Sequence, residues 1–205
     1  MRTRHAFLIL IALVVLPLVV SAADKPSEYA ALLATLNGGN TSIDFTRLRV
    51  SYMDSPEYKQ AKDTTDAEKA MFEALDARDF PKALKSAETV LASEYVNIDA
   101  HFVAFSACKQ MGAMDQAQFH LTIFRGLIDS IRSSGDGSSP EKAWVVITVH
   151  EEYVLLRVLG FRPSGQSVMN QNGHSYDVMK VKNAKDGSDQ TFYFNVDIPF
   201  KHYGV

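Results

Sequence analysis

The chain has 205 residues, with 21 Lys plus Arg against 24 Asp plus Glu and a single cysteine, for a formal charge of −3 with the histidines neutral. No basic surplus exists to neutralise a phosphate backbone, which excludes a nucleic-acid partner. One cysteine also excludes a disulfide within the chain, so stability must come from packing.

The N-terminus predicts an address. Arg2 and Arg4 precede an uncharged apolar run from Ala6 to Val20, and Val20-Ser21-Ala22 supplies small residues for cleavage before Ala23. A spanning helix needs roughly 20 apolar residues, whereas Pro17 and Ser21 close this run early. Residues 1–22 therefore read as a cleaved export signal. No other stretch is long and apolar enough to span a bilayer, so the product is expected to be periplasmic or secreted, with no stable membrane anchor after cleavage. Cleavage removes Arg2 and Arg4, which leaves 19 Lys plus Arg against 24 Asp plus Glu and shifts the formal charge to −5. Ala23 stands where lipid attachment would need a cysteine.

Downstream, residues 23–133 read as helical. Asp44 is placed to cap a helix over Phe45 to Met53, with Arg47 and Arg49 as surface charges. Thr65 and Glu68 have the spacing of a capping box for a helix reaching about Arg78, and Asp79-Phe80-Pro81 breaks it. A second helix carries Ala83, Leu84, Ala87, Val90 and Leu91. Asn97 caps a third, and Gly112 ends it before a fourth through Phe119, Ile123, Leu127 and Ile131. The two hairpins align at one constant offset: Phe80 with Met114, Ala83 with Ala117, Val90 with Phe124. That offset equals the period of the tetratricopeptide repeat, which the turns Asp79-Phe80-Pro81-Lys82-Ala83 and Ala113-Met114-Asp115-Gln116-Ala117 resemble. The usual Trp, Gly and Tyr of its first helix are replaced here by Ala67, Met71 and Ala74, and by His101, Phe105 and Cys108. Cys108 faces the apolar side of its helix and reads as a buried small hydrophobe.

After the loop from Ser133 to Pro140, residues 140–205 turn β-branched and aromatic. Trp144 to Ile147 reads as a buried strand. Thr148 and Glu151 read as a second capping box, opening a helix that Gly160 terminates; a continuous helix from Ser139 competes with this reading. Gln166 to Asn170, His174 to Lys182 and Gln190 to Ile198 are three predicted strands, turned at Asn172-Gly173 and Asp186-Gly187. Phe192, Phe194, Val196 and Ile198 alternate toward one face, which should pack on the preceding helix. The expected fold is α+β: N-terminal helices and two tetratricopeptide-like helical hairpins, then a small antiparallel sheet packed on one helix.

Several stretches together resemble the bacterial family called domain of unknown function 4919. They are Asp44-Phe45-Thr46-Arg47-Leu48-Arg49-Val50-Ser51-Tyr52, Glu151-Glu152-Tyr153 with Leu156 and Gly160, Gln166, Tyr176-Asp177 and Tyr193-Phe194-Asn195-Val196. The resemblance implies an exported protein and brings no established activity.

The candidate residues form one group. Glu151, Glu152, Tyr153 and Arg157 on the helix are expected to meet Tyr176, Asp177 and Asn195 of the sheet, as a polar binding site or as an ion pair that fixes helix to sheet. His150-Glu151-Glu152 is no zinc helix, because the second histidine would fall at Val154. No metal, cofactor or catalytic motif is read. The sequence thus points to a non-catalytic exported interaction or scaffold module with an unspecified protein partner. The alternatives are a hydrolase of unfamiliar type using Glu152, Arg157 and Asp177, or a carrier whose apolar cavity Met179, Phe192 and Phe194 would line.

Overall fold

Short-range capping sets where the helices begin. A computed structural model describes residues 26–204, so the predicted export segment lies outside the described residues. Helix α1, Glu28–Asn37, starts at Ser27, and α2, Phe45–Met53, starts at Asp44, whose carboxylate accepts the Arg47 N–H at 3.0 Å. A single turn, α3, covers Pro56–Lys59. The hairpins follow as α4, Thr65–Asp76, with α5, Phe80–Ser93, and α6, Ile98–Gln110, with α7, Met114–Arg132. The cap of α4 is Thr64 rather than Thr65: the Asp63 carboxylate takes the Thr65 N–H at 2.9 Å, and the Thr64 hydroxyl donates to Glu68 Oε1 at 2.9 Å. Asn97 caps α6 by accepting the Ala100 N–H at 3.0 Å. Ala83 and Ala117, at equivalent places in α5 and α7, are both buried.

The C-terminal elements are β1, Trp144–Val145; α8, Val149–Leu159; β2, Phe161–Gln171; β3, His174–Asn183; β4, Asp189–Asn195; and α9, Asp197–Tyr203. The fold is α+β. The sheet is mixed rather than wholly antiparallel. Its order is β1-β4-β3-β2, and β1 runs parallel to β4, with Trp144 opposite Phe194. The predicted strand at Gln166 begins instead at Phe161, because a bulge between Pro163 and Gly165 takes up Ser164 on an edge strand, where proline breaks no ladder. Ile198 lies in α9 rather than in a strand, because Asn195 Oδ1 accepts the Asp197 N–H at 3.1 Å and turns the chain out of the sheet. The segment from Trp144 to Ile147 enters the ladder only at Trp144 and Val145, yet Val146 and Ile147 are buried just beyond it.

Helices and sheet share one core. Leu48, Tyr52 and Met53 of α2, Ile123, Leu127 and Ile131 of α7, Val154 to Leu156 of α8, and Met179, Val181 and Phe194 of the sheet form one buried cluster. A satellite cluster joins α4, α5 and α6 through Met71, Ala83, Val90 and Val103. On the α8 side of the sheet, Trp144 stacks on Phe192 and Phe194 at 5.0 and 5.4 Å, and Phe161 meets Phe192 edge-on at 5.0 Å. These rings pack on one another and on the shared core, in which Met179 and Phe194 are fully buried.

Candidate functional site

Helix α8 carries most of the chemistry. Thr148 caps it, its hydroxyl accepting the Glu151 N–H at 3.4 Å. The side chain of Glu151 does not complete a capping box. It turns into the core, where Arg49 Nε donates to Oε1 at 2.8 Å, Arg49 Nη2 donates to Oε2 at 2.7 Å, and the Ile147 N–H donates to Oε2 at 2.8 Å. Arg49 is 2 % exposed, so the sequence reading of a surface charge is overturned. Its remaining donors reach Ser130 Oγ at 2.9 Å and the Val145 carbonyl at 3.1 Å. The planar guanidinium fork thereby ties α2, α7, β1 and α8 together through four hydrogen bonds, with its charge paired.

Arg157 does not join Glu152 and Asp177, as the sequence reading expects. It pairs with Asp99, a buried residue in the first turn of α6, which also meets His150 Nε2 at 3.1 Å. This hydrogen bond is the main cause of the upward shift of the His150 imidazole. Arg157 offsets the charge of Asp99, which is buried in the first turn of α6, where a carboxylate without a cation would be costly.

Glu152 and Asp177 do come together. Glu152 is 0 % exposed and Asp177 is 2 % exposed. Burial, reinforced by the neighbouring Asp177 carboxylate, pushes the Glu152 carboxyl up to about 9. Gln166 on β2 donates to Asp177 Oδ2 at 2.6 Å and accepts from the Tyr153 hydroxyl at 2.7 Å. Tyr176 and Asn195 form a register pair of the β3–β4 ladder on the face opposite Asp177, so they do not join Glu152. Asn195 instead binds Asp197, which also receives His174 Nδ1 at 2.6 Å and the Ser175 N–H at 2.8 Å.

A cavity of about 230 Å³ opens beside the start of α8. Glu68, Glu94, Asn97, His150 and Glu151 supply its polar wall, and Val96, Ile98 and Val154 its apolar one. The Asn97 amide lies 3.4 Å from Glu68 and 3.3 Å from Glu94, whose carboxyl burial raises to about 6. A larger groove of about 640 Å³ between the α3–α4 connection and α5 contains none of the residues singled out in the sequence. Among the described residues, no group of three or more His, Cys, Asp or Glu side chains is placed to hold a metal, and no helix is long and apolar enough to cross a membrane.

Sequence reading misses the roles of Arg49, Glu94, Asp99 and the His101–His120 pair. Arg49 is detectable: Phe45, Leu48, Arg49 and Tyr52 fall at i, i+3, i+4 and i+7, so Arg49 lies on the apolar stripe of α2. In the histidine pair, the ring of the fully buried His101 uses Nε2 on the Tyr95 carbonyl at 2.8 Å, and the two Nδ1 atoms are 3.1 Å apart. The backbone contact places the His101 proton on Nε2, so its Nδ1 accepts from His120. Burial, with His120 alongside, pushes His101 down to about 3. Cys108 is buried, with its thiol pushed up by desolvation.

Helical hairpins closed by a mixed sheet, with α8 joining the two parts, define an α+β protein whose buried charges link elements distant in sequence. The chain belongs to the family described as domain of unknown function (DUF4919), matched over residues 22–204. No curated protein and no solved structure matches it.

Proposed function

We propose that the protein is an exported, non-catalytic interaction module that binds a protein partner through the outer side of its second helical hairpin. The observation that carries this reading is a set of uncovered apolar side chains along the second hairpin: Phe102 on α6 is 38 % exposed, Met111 in the turn after it 41 %, and Met114 at the start of α7 59 %. Phe102 stacks near Phe105 and Phe124 at 6.5 and 5.7 Å, with Lys109 Nζ 5.7 Å from the Phe105 ring centre. Exposed aromatic and methionine side chains together favour a partner that offers apolar groups. Two features support a repeat-like scaffold beneath them: α5 and α7 begin one repeat period apart, at Phe80 and Met114, and an alanine is buried at the same place in each. Export is supported by the charged start and apolar run of residues 1–22. The test is site-specific photocrosslinking from position 102 in cells that export the protein. A discrete crosslinked partner, lost on Met114→Ser, is expected; uniform labelling without a discrete product counts against the proposal.

A second reading, a polar-ligand or hydrolytic site, is favoured by one observation. His150, held by the buried Asp99, faces the same 230 Å³ cavity as Glu94, a carboxyl raised toward neutrality. Such a pair sets a proton donor and an acceptor in one cavity. A saturable ligand whose binding is abolished by His150→Ala and Glu94→Gln would favour this reading over the first.

A further inference from the structure

The Glu152–Asp177 contact is chemically incomplete as a pair of carboxylates. Ionised carboxylates only accept hydrogen bonds, and Glu152 Oε1, Glu152 Oε2 and Asp177 Oδ1 are all buried with no partner among the described residues. The donor that reaches the pair, Gln166 Nε2, is used on Asp177 Oδ2. No cation among the described residues balances the charge. On α8, the adjacent Glu151 is committed to Arg49 of α2; Arg157 is committed to Asp99 of α6; on β2 the facing side chain is the neutral Gln166, with Tyr153 bound to its far end. None of the ion pairs among the described residues includes Glu152 or Asp177. Two bare negative charges in such a place are among the most costly arrangements a core can hold. A hard cation would need six or more oxygens, and this pair offers two carboxyl groups.

We infer that Glu152 and Asp177 hold one proton between them, forming a carboxyl–carboxylate latch that fastens α8 to the β2–β3 hairpin and releases it in alkaline solution. One proton turns an acceptor–acceptor contact into a donor–acceptor bond. It halves the buried charge and leaves Asp177 free to keep the Gln166 bond, which carries the latch on to β2. The position suits release, because β2 is the edge of the sheet and pairs with β3 alone. When the proton leaves, two adjacent carboxylates repel with no cation between them, and β2, the edge strand that Gln166 joins to the pair, is the side able to yield.

The test uses the purified protein and its Glu152→Gln variant, in which an amide N–H replaces the shared proton. Thermal unfolding is followed from pH 7 to pH 10, above the range in which Glu94 titrates. The wild-type midpoint should fall across this range, the variant should fall less, and at pH 10 the variant should unfold at the higher temperature. Exchange of the β2 amides, corrected for its intrinsic pH dependence, should accelerate more in the wild type. Parallel profiles for the two proteins would overturn the latch. So would a rise in the wild-type midpoint on adding Ca²⁺ or Mg²⁺ that Glu152→Gln abolishes, because a cation would then be the occupant. If the variant fails to fold, infrared spectroscopy of the wild type decides alone: a carbonyl stretch from an un-ionised buried carboxyl at pH 7 supports the latch, and its absence refutes it.

Discussion

Arg49 and Arg47 sit on one helix, separated by Leu48, and have opposite fates. Arg47 pairs with Glu28 at the surface, where both side chains are largely solvated, and such pairs contribute little. Arg49 is buried against Glu151, and removing one partner of a buried pair strands the other. Arg49→Ala should therefore cost about 3–5 kcal/mol, read as a lower urea midpoint, while Arg47→Ala should leave the midpoint nearly unchanged. The double replacement Arg49→Met with Glu151→Leu should recover most of the loss, since apolar residues of similar volume often replace a buried ion pair at little cost. If Arg49→Ala unfolds at the wild-type urea concentration, the network contributes nothing to stability. Part of this site is legible in sequence. Glu152 and Asp177 group together because each lies in an element expected to face the other. Arg157 is misassigned because its partner, Asp99, is 58 positions away on a helix whose placement beside α8 no local pattern encodes.

The elements divide in the same way. Asp44, Asn97 and Thr148 start their helices where the sequence places them, and Gly160 stops α8 with φ +82°, a value that favours a residue without a Cβ. Asn172-Gly173 turns the β2–β3 hairpin with φ +53° and +81°, the pattern of a tight hairpin turn. These signals act over a few residues and can be read directly. The parallel β1–β4 pairing brings Trp144 opposite Phe194, and such a pairing depends on a long crossover that short-range patterns do not specify. The contact between α2 and α7 is similarly non-local and yields a prediction. A Cβ added at Gly126 would lie 2.4 Å from the Phe45 ring. Alanine gains about 1 kcal/mol of helix propensity over glycine, whereas overpacking a filled site costs about 1–3 kcal/mol. Gly126→Ala should therefore be destabilising in chemical unfolding, and combining it with Phe45→Ala should expose the propensity gain. A more stable single variant would contradict this seating of the ring.

For the whole molecule, buried titratable groups set opposing slopes of stability with pH. His101 falls from 6.5 to about 3 on folding, and His120 also shifts down. The unfolded chain therefore binds more protons in this range, and stability is lost as pH falls from about 6.5 toward 3. Glu94 and Glu152 rise from 4.5 to about 6 and about 9. Here the folded state binds more protons, and stability is lost as pH rises from about 4.5 toward 9. Thermal unfolding should therefore show its highest midpoint between about pH 4.5 and 6.5, where the two effects oppose each other. A maximum above pH 8 would mean that Glu152 is not buried as described. The proposed export signal makes its own prediction at this scale: N-terminal sequencing of the released protein should begin Ala23-Asp24-Lys25.

Binding of a partner by the second hairpin is tested most directly by quantitative crosslinking in cells that make the protein. A photoreactive residue would be placed at position 102 on α6 or, as a control, at position 168 on β2, where Val168 is 57 % exposed. One discrete adduct is expected from position 102, sensitive to Met114→Ser, and no adduct of the same mass from position 168. Equal adducts from both positions, or none from position 102 alongside a tightly bound small molecule dependent on Glu94 and His150, would contradict it.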